Sequence, residues 1–108
     1  MAAIPDSVQK IIEEYLMKIS EQVPAGRVIL FGSCAKGTFC DGSDIDIAVF
    51  SDYFSGMERV NAFKILYMPS LEFDADIQPL PFTEDDYRYP LGIAEEIIKT
   101  GIEIPFRA

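Results

Sequence analysis

Two aspartates one residue apart, Asp44 and Asp46, follow the pair Gly32-Ser33 after an interval of ten residues. Side chains on a strand alternate faces at about 3.3 Å per residue, so both carboxylates project from one face, roughly 7 Å apart at Cα. Paired carboxylates offer the hard oxygen donors that Mg²⁺ prefers. A nucleoside triphosphate repels an incoming hydroxyl until cations neutralise its phosphoryl oxygens, and two Mg²⁺ ions about 3.5 to 4 Å apart clamp the attacking and leaving oxygens. Gly32 lets the backbone approach a phosphate closely. Ser33 adds a hydroxyl beside main-chain N–H groups at the start of a short helix expected over residues 34–36.

The segments around these residues read as the strands that position them. Val28-Ile29-Leu30-Phe31 is a buried-strand pattern ending at Gly32, and Ile45-Asp46-Ile47-Ala48-Val49-Phe50 is a second. A third strand is expected over 71–80, where Glu72, Asp74, Asp76 and Gln78 alternate with Phe73, Ala75 and Ile77; Pro79 and Pro81 are expected to end its pairing. Its polar face carries two candidates for a third carboxylate, Asp74 and Asp76. Helical spacing of Val8, Ile11, Ile12, Tyr15, Leu16 and Ile19 follows the capping candidates Asp6 and Ser7. A second helix is expected over 57–68, with Val60, Phe63, Ile65 and Leu66 as its apolar face and Pro69-Ser70 as its stop. A third runs near 92–100, closed by Gly101 at the C′ position, and residues 102–106 add a short terminal strand.

Other phosphate and metal motifs fail on spacing. A P-loop requires its lysine after the second glycine, but Gly37 is followed by Thr38 and the lysine stands at position 36. An EF-hand starting at Asp44 requires glycine at Val49 and glutamate at Ser55, and one starting at Asp41 puts Asp46 where glycine is needed. A dinucleotide fingerprint lacks its glycine at position 34. The remaining alternative is a Gly-Ser turn followed by a solvated acidic hairpin, although aspartates set among Ile and Val are unusual decoration.

At 108 residues with 49% hydrophobic side chains, residues 1–108 read as a single domain with one core. The net charge of −9, from 18 acidic and 9 basic residues, opposes binding to a bare nucleic-acid backbone, so nucleic acid is not expected as the primary ligand. There is no long apolar span and no signal-peptide pattern, and a cytoplasmic location away from membranes is expected. Cys34 and Cys40 are the only cysteines and there is no histidine, which removes ordinary structural zinc sites and every histidine-based acid–base mechanism. Carboxylate and metal chemistry is what remains. Phe39, Tyr53 and Phe54 flank the motif, and Phe82, Tyr87 and Tyr89 are expected in a proline-containing loop. These aromatics either close a small core or form a partner surface.

The runs Phe31-Gly32-Ser33-Cys34-Ala35-Lys36-Gly37 and Gly42-Ser43-Asp44-Ile45-Asp46-Ile47-Ala48-Val49 resemble the minimal nucleotidyltransferases of the DNA polymerase β superfamily. The resemblance covers residues 27–80 and extends more weakly to the closing helix and strand. It implies an α/β (α+β) polymerase β-like fold, a small mixed sheet with helices packed mainly on one face and the active site at the sheet's edge. It further implies that Gly32 and Ser33 grip the triphosphate and that Asp44, Asp46 and one later aspartate carry two Mg²⁺ ions. The family's spacing selects Asp76 over Asp74 for that third position. Many relatives carry arginine where this chain has Cys34 and Lys36. Such proteins are often antitoxins paired with helical HEPN-domain proteins, and transfer AMP from ATP to the partner. Two readings follow. In the first, the chain moves a nucleoside monophosphate, AMP from ATP, to a hydroxyl on a protein partner. In the second, it is a catalytically silent antitoxin or assembly subunit that acts sterically. A hetero-oligomer and a homodimer are both compatible with the sequence. Modification of a small molecule is disfavoured, because no second domain supplies an acceptor pocket.

Overall fold

The computed structural model describes residues 6–24, 26–32 and 44–104. The first helix, α1 (Asp6–Ile19), forms as its spacing predicts, with Val8, Ile12, Tyr15, Leu16 and Ile19 buried. Strand β1 (Arg27–Phe31) and strand β2 (Ile45–Phe50) run antiparallel, with Leu30 opposite Ile47 and Phe31 opposite Asp46. A single 3₁₀ turn (Asp52–Phe54) is started by Ser51, whose hydroxyl accepts from the Tyr53 N–H, and it leads towards α2 (Arg59–Ser70). Strand β3 (Ile77–Phe82) then pairs parallel to β2, with Ile45 opposite Ile77 and Phe50 opposite Phe82. The chain closes through α3 (Glu84–Arg88), α4 (Ile93–Thr100) and β4 (Ile102–Ile104), the last antiparallel to β1. The sheet order is β3-β2-β1-β4.

Strand alternation divides the core in two. Val28, Leu30, Ile45, Ile47, Val49 and Ile77 pack on one face against the buried sides of α1 and α2. Tyr15 joins the two helices by donating from its hydroxyl to the Leu66 carbonyl at 2.6 Å. Ile29, Ala48, Phe50 and Phe82 point to the other face, where Ala94 and Ile97 of α4 meet them. The two long helices thus occupy one face, as expected, while the short α3 and α4 cover part of the second.

Several boundaries differ from the sequence reading. The third strand begins at Ile77 instead of 71, although Phe73 and Ala75 do turn towards the core ahead of it. Pro79 and Pro81 lie inside β3 instead of ending it, opposite Ile47 and Val49. They are tolerated because β3 is an edge strand. The carbonyls of Asp76 and Phe82 accept from Ile45 and Ser51 N–H groups, so the even-numbered backbone groups face β2 and the N–H-less prolines face the open edge.

Helix α2 continues through Pro69 to Ser70 and buries Ala62, Leu66 and Ser70, whereas Val60 and Phe63 of the expected apolar stripe face outward. The expected aromatic loop is in part the helix α3, fixed by a capping box between Thr83 and Asp86. Phe82 ahead of it stacks on Phe50 at 4.9 Å and Tyr87 within it meets Phe50 edge-on, while Tyr89 stays exposed. Gly101 ends α4 with extended backbone rather than a left-handed one. A β-carbon there would overlap Ile29 Cγ2 and crowd the carbonyls of Ile97 and Leu30, so close packing is what requires glycine. No helix among the described residues is long and apolar enough to cross a membrane.

Candidate functional site

The parallel pairing of β2 and β3 builds the site. Ile45 donates its N–H to the Asp76 carbonyl at 2.8 Å, which holds the starts of the two strands level. Ile45 and Ile77 are buried beneath α1 and α2. Their neighbours Asp44, Asp46, Asp76 and Gln78 must therefore emerge on the opposite face, at the end of the strands away from Phe50 and Phe82, where α3 and α4 pack. Three carboxylates and a carboxamide thus share one corner of the sheet because the apolar residues between them are committed to the larger core.

The electrostatics register how near they are. The Asp44 carboxyl is raised above its ordinary range by a side-chain hydrogen bond with Asp76, then by the Asp76 charge, and least by burial. Asp46, which is half-buried, is raised first by desolvation and then by the charges of Asp44 and Asp76. Gln78 donates from Nε2 to Asp76 Oδ1 at 2.8 Å. Asp74 is exposed and is not among the groups acting on Asp44 or Asp46.

Gly32 closes the other side of this corner. Its φ of +79° lies in the left-handed region, and a β-carbon there would overlap Oδ2 of Asp46. The glycine at this position makes room for a carboxylate, in addition to the phosphate approach expected from sequence. Ser33, the expected helix over 34–36, Cys34 and Cys40 lie outside the described residues.

The structure therefore brings together Gly32, Asp44, Asp46 and Asp76, and leaves Asp74 apart. It also adds Gln78, to which the sequence pattern assigned no role. The available signal was its position two residues beyond Asp76 on the same strand face. As arranged, no group of three acidic, cysteine or histidine side chains among the described residues is drawn tightly enough to hold a metal ion. By donor chemistry the cluster nonetheless suits Mg²⁺, since it offers hard carboxylate oxygens whose mutual repulsion a cation relieves.

The nucleotidyltransferase domain family matches residues 12–99. A protein of Methanocaldococcus jannaschii, provisionally named a protein adenylyltransferase, is 29% identical over 98 residues, covering 88% of this chain and 96% of its own. The crystal structure of a provisionally assigned nucleotidyltransferase from Sulfolobus solfataricus superposes with a TM-score of 0.70 at 18% identity, over 91% of this chain and 79% of that one. At that identity the likeness concerns the fold.

Proposed function

Because this chain belongs to the nucleotidyltransferase domain family, and is a nucleotidyltransferase, we propose that it transfers AMP from ATP to a hydroxyl on a protein partner, using Asp44, Asp46 and Asp76. The observation that carries this reading is the convergence of those three carboxylates at one corner of the sheet. The name of the archaeal relative supports a protein acceptor.

Asp44, Asp46 and Asp76 would hold Mg²⁺, which when bound supplies charge neutralisation at the phosphoryl oxygens. Gly32 keeps the Asp46 carboxylate unobstructed, and by the family resemblance the Gly32-Ser33 backbone and hydroxyl would hold the triphosphate. In the reaction the acceptor oxygen forms a bond to the α-phosphorus, the bond from that phosphorus to the β-phosphate bridging oxygen breaks, and pyrophosphate leaves. The acceptor's proton passes to Asp76, held in orientation by Gln78. Sequence resemblance alone supports the finer assignment: the partner is a HEPN-domain toxin, the chain is its cytoplasmic antitoxin, and the pair is a hetero-oligomer.

The test is to incubate the purified protein with ATP labelled at the α-phosphate, Mg²⁺ and a co-expressed HEPN-domain protein encoded beside it. Label should pass to that protein and pyrophosphate should accumulate, and both should stop with chelator or Asp46→Asn. Unlabelled partner whose toxicity is still suppressed by Asp46→Asn would replace this reading with the steric one.

A further inference from the structure

Helix α2 has two apolar faces, and only one is used by the fold. Ala62 and Leu66 go to the core. Val60, Phe63 and Tyr67 recur at the spacing of a second stripe, joined by Met68, with Val60 62% and Met68 59% exposed. Phe63 and Tyr67 stack with ring centroids 5.2 Å apart. Between this stripe and Leu80 and Pro81 of β3 runs a groove of about 530 Å³.

Two features say what fits it. Pro79 and Pro81 remove two successive N–H groups from the open edge of β3, leaving that of Ile77, so an added strand would find a broken donor ladder there. The occupant must pack by side chains. Arg59 and Lys64 are the charged residues that border the groove, and neither forms an ion pair among the described residues, just as Lys10 of α1 does not. In a chain of net charge −9 they give this groove a locally positive border. Arg59 stands in the first turn of α2, directly after the N-cap residue Glu58.

We propose that the outer face of α2 and the rim of β3 form a docking groove for an amphipathic helix of a partner protein, with apolar anchors at i, i+3/i+4 and i+7 and carboxylates flanking them. The stripe from Val60 to Tyr67 is about 10 Å long at 1.5 Å per residue, enough for two turns of the partner. A second copy of this chain is a poorer occupant, since pairing doubles a net charge of −9. The proposal stands independently of the transfer reaction, because the groove lies on α2 and the edge of β3, and none of the carboxylates lines it.

The test uses two synthetic stapled helical peptides with the same apolar anchors, one flanked by glutamates and one by lysines, titrated against the full chain by fluorescence anisotropy at low salt. The glutamate peptide should bind at least ~10-fold more tightly. Phe63→Ser, which leaves the core untouched, should weaken it by ~10-fold or more with an unchanged circular-dichroism spectrum. The double variant Arg59→Glu/Lys64→Glu should invert the preference. Binding of neither peptide, equal binding of both, or a glutamate preference that survives the double variant would overturn the proposal. So would a dimer in sedimentation that Phe63→Ser converts to monomer, since that face would then belong to a second copy.

Discussion

A β-carbon at position 32 would overlap Oδ2 of Asp46, and the backbone of Gly32 has a φ of +79°. The two halves of the motif, which the sequence separates, are in contact. Gly32→Ala therefore acts twice: it places a side chain in left-handed backbone at a cost of roughly 1–2 kcal/mol, and it pushes the Asp46 carboxylate from its place. We expect adenylyl transfer to fall by about 100-fold or more with a thermal midpoint only a few degrees lower. Activity near wild type in a folded Gly32→Ala protein would show that the Asp46 position is not critical.

Asp44→Asn and Asp46→Asn should each abolish transfer. For Asp46 the effect on stability has a definite sign. Burial and the neighbouring carboxylates raise its pKa in the fold above the ordinary value. The stability it contributes is thus fully present when it is protonated, below about pH 4, and is lost as pH rises through its raised folded value. With chelator present, Asp46→Asn should melt slightly higher than wild type at pH 7, and the gap should close towards pH 4. Thermal denaturation across that range checks it; an Asn variant that melts lower at pH 7 contradicts the repulsion account.

Asp76 and Asp74 are separated by one pleat of chain, but only Asp76 acts on Asp44. Asp76→Ala should cost at least ~100-fold in turnover, and Asp74→Ala far less. Gln78→Leu, which leaves Asp76 without its 2.8 Å donor, should cost about 10-fold. Single-turnover rates of the three variants make the comparison, and a dead Asp74→Ala beside an active Asp76→Ala would exchange their roles.

Tyr15 is a stability prediction remote from the chemistry. Its buried hydroxyl donates to the Leu66 carbonyl, and burial pushes the phenol well above its ordinary value. Tyr15→Phe should destabilise by about 1–2 kcal/mol. Because the folded pKa is raised, the stability Tyr15 contributes persists below about pH 10 and is lost above it. The wild type should weaken more steeply than Tyr15→Phe between pH 10 and 12 in urea titrations.

Much of this protein was legible in local pattern. The strand 45–50 coincides with β2 and the stripe from Val8 to Ile19 with α1, and the resemblance read from Gly-Ser and Asp-x-Asp is to the kind of family that the chain matches. These are short-range signals, because alternation and helical spacing depend on which side of one element faces the core. The second stripe of α2 shows the limit of that logic. Val60 and Phe63 have the spacing of core residues, but Ala62 and Leu66 occupy the inside and leave them out.

The sequence by itself determined the residue types and the face on which each lies along its own strand. It could not choose between Asp74 and Asp76 from alternation, since both share one parity, nor could it tell that prolines would sit within an edge strand. Those outcomes depend on register between segments some thirty residues apart. Packing of Ile45 and Ile77 beneath α1 and α2 sets that register and so levels Asp76 with Asp44. A shift of one residue would turn the carboxylates into the apolar core, a burial of unpaired charge that the fold cannot sustain.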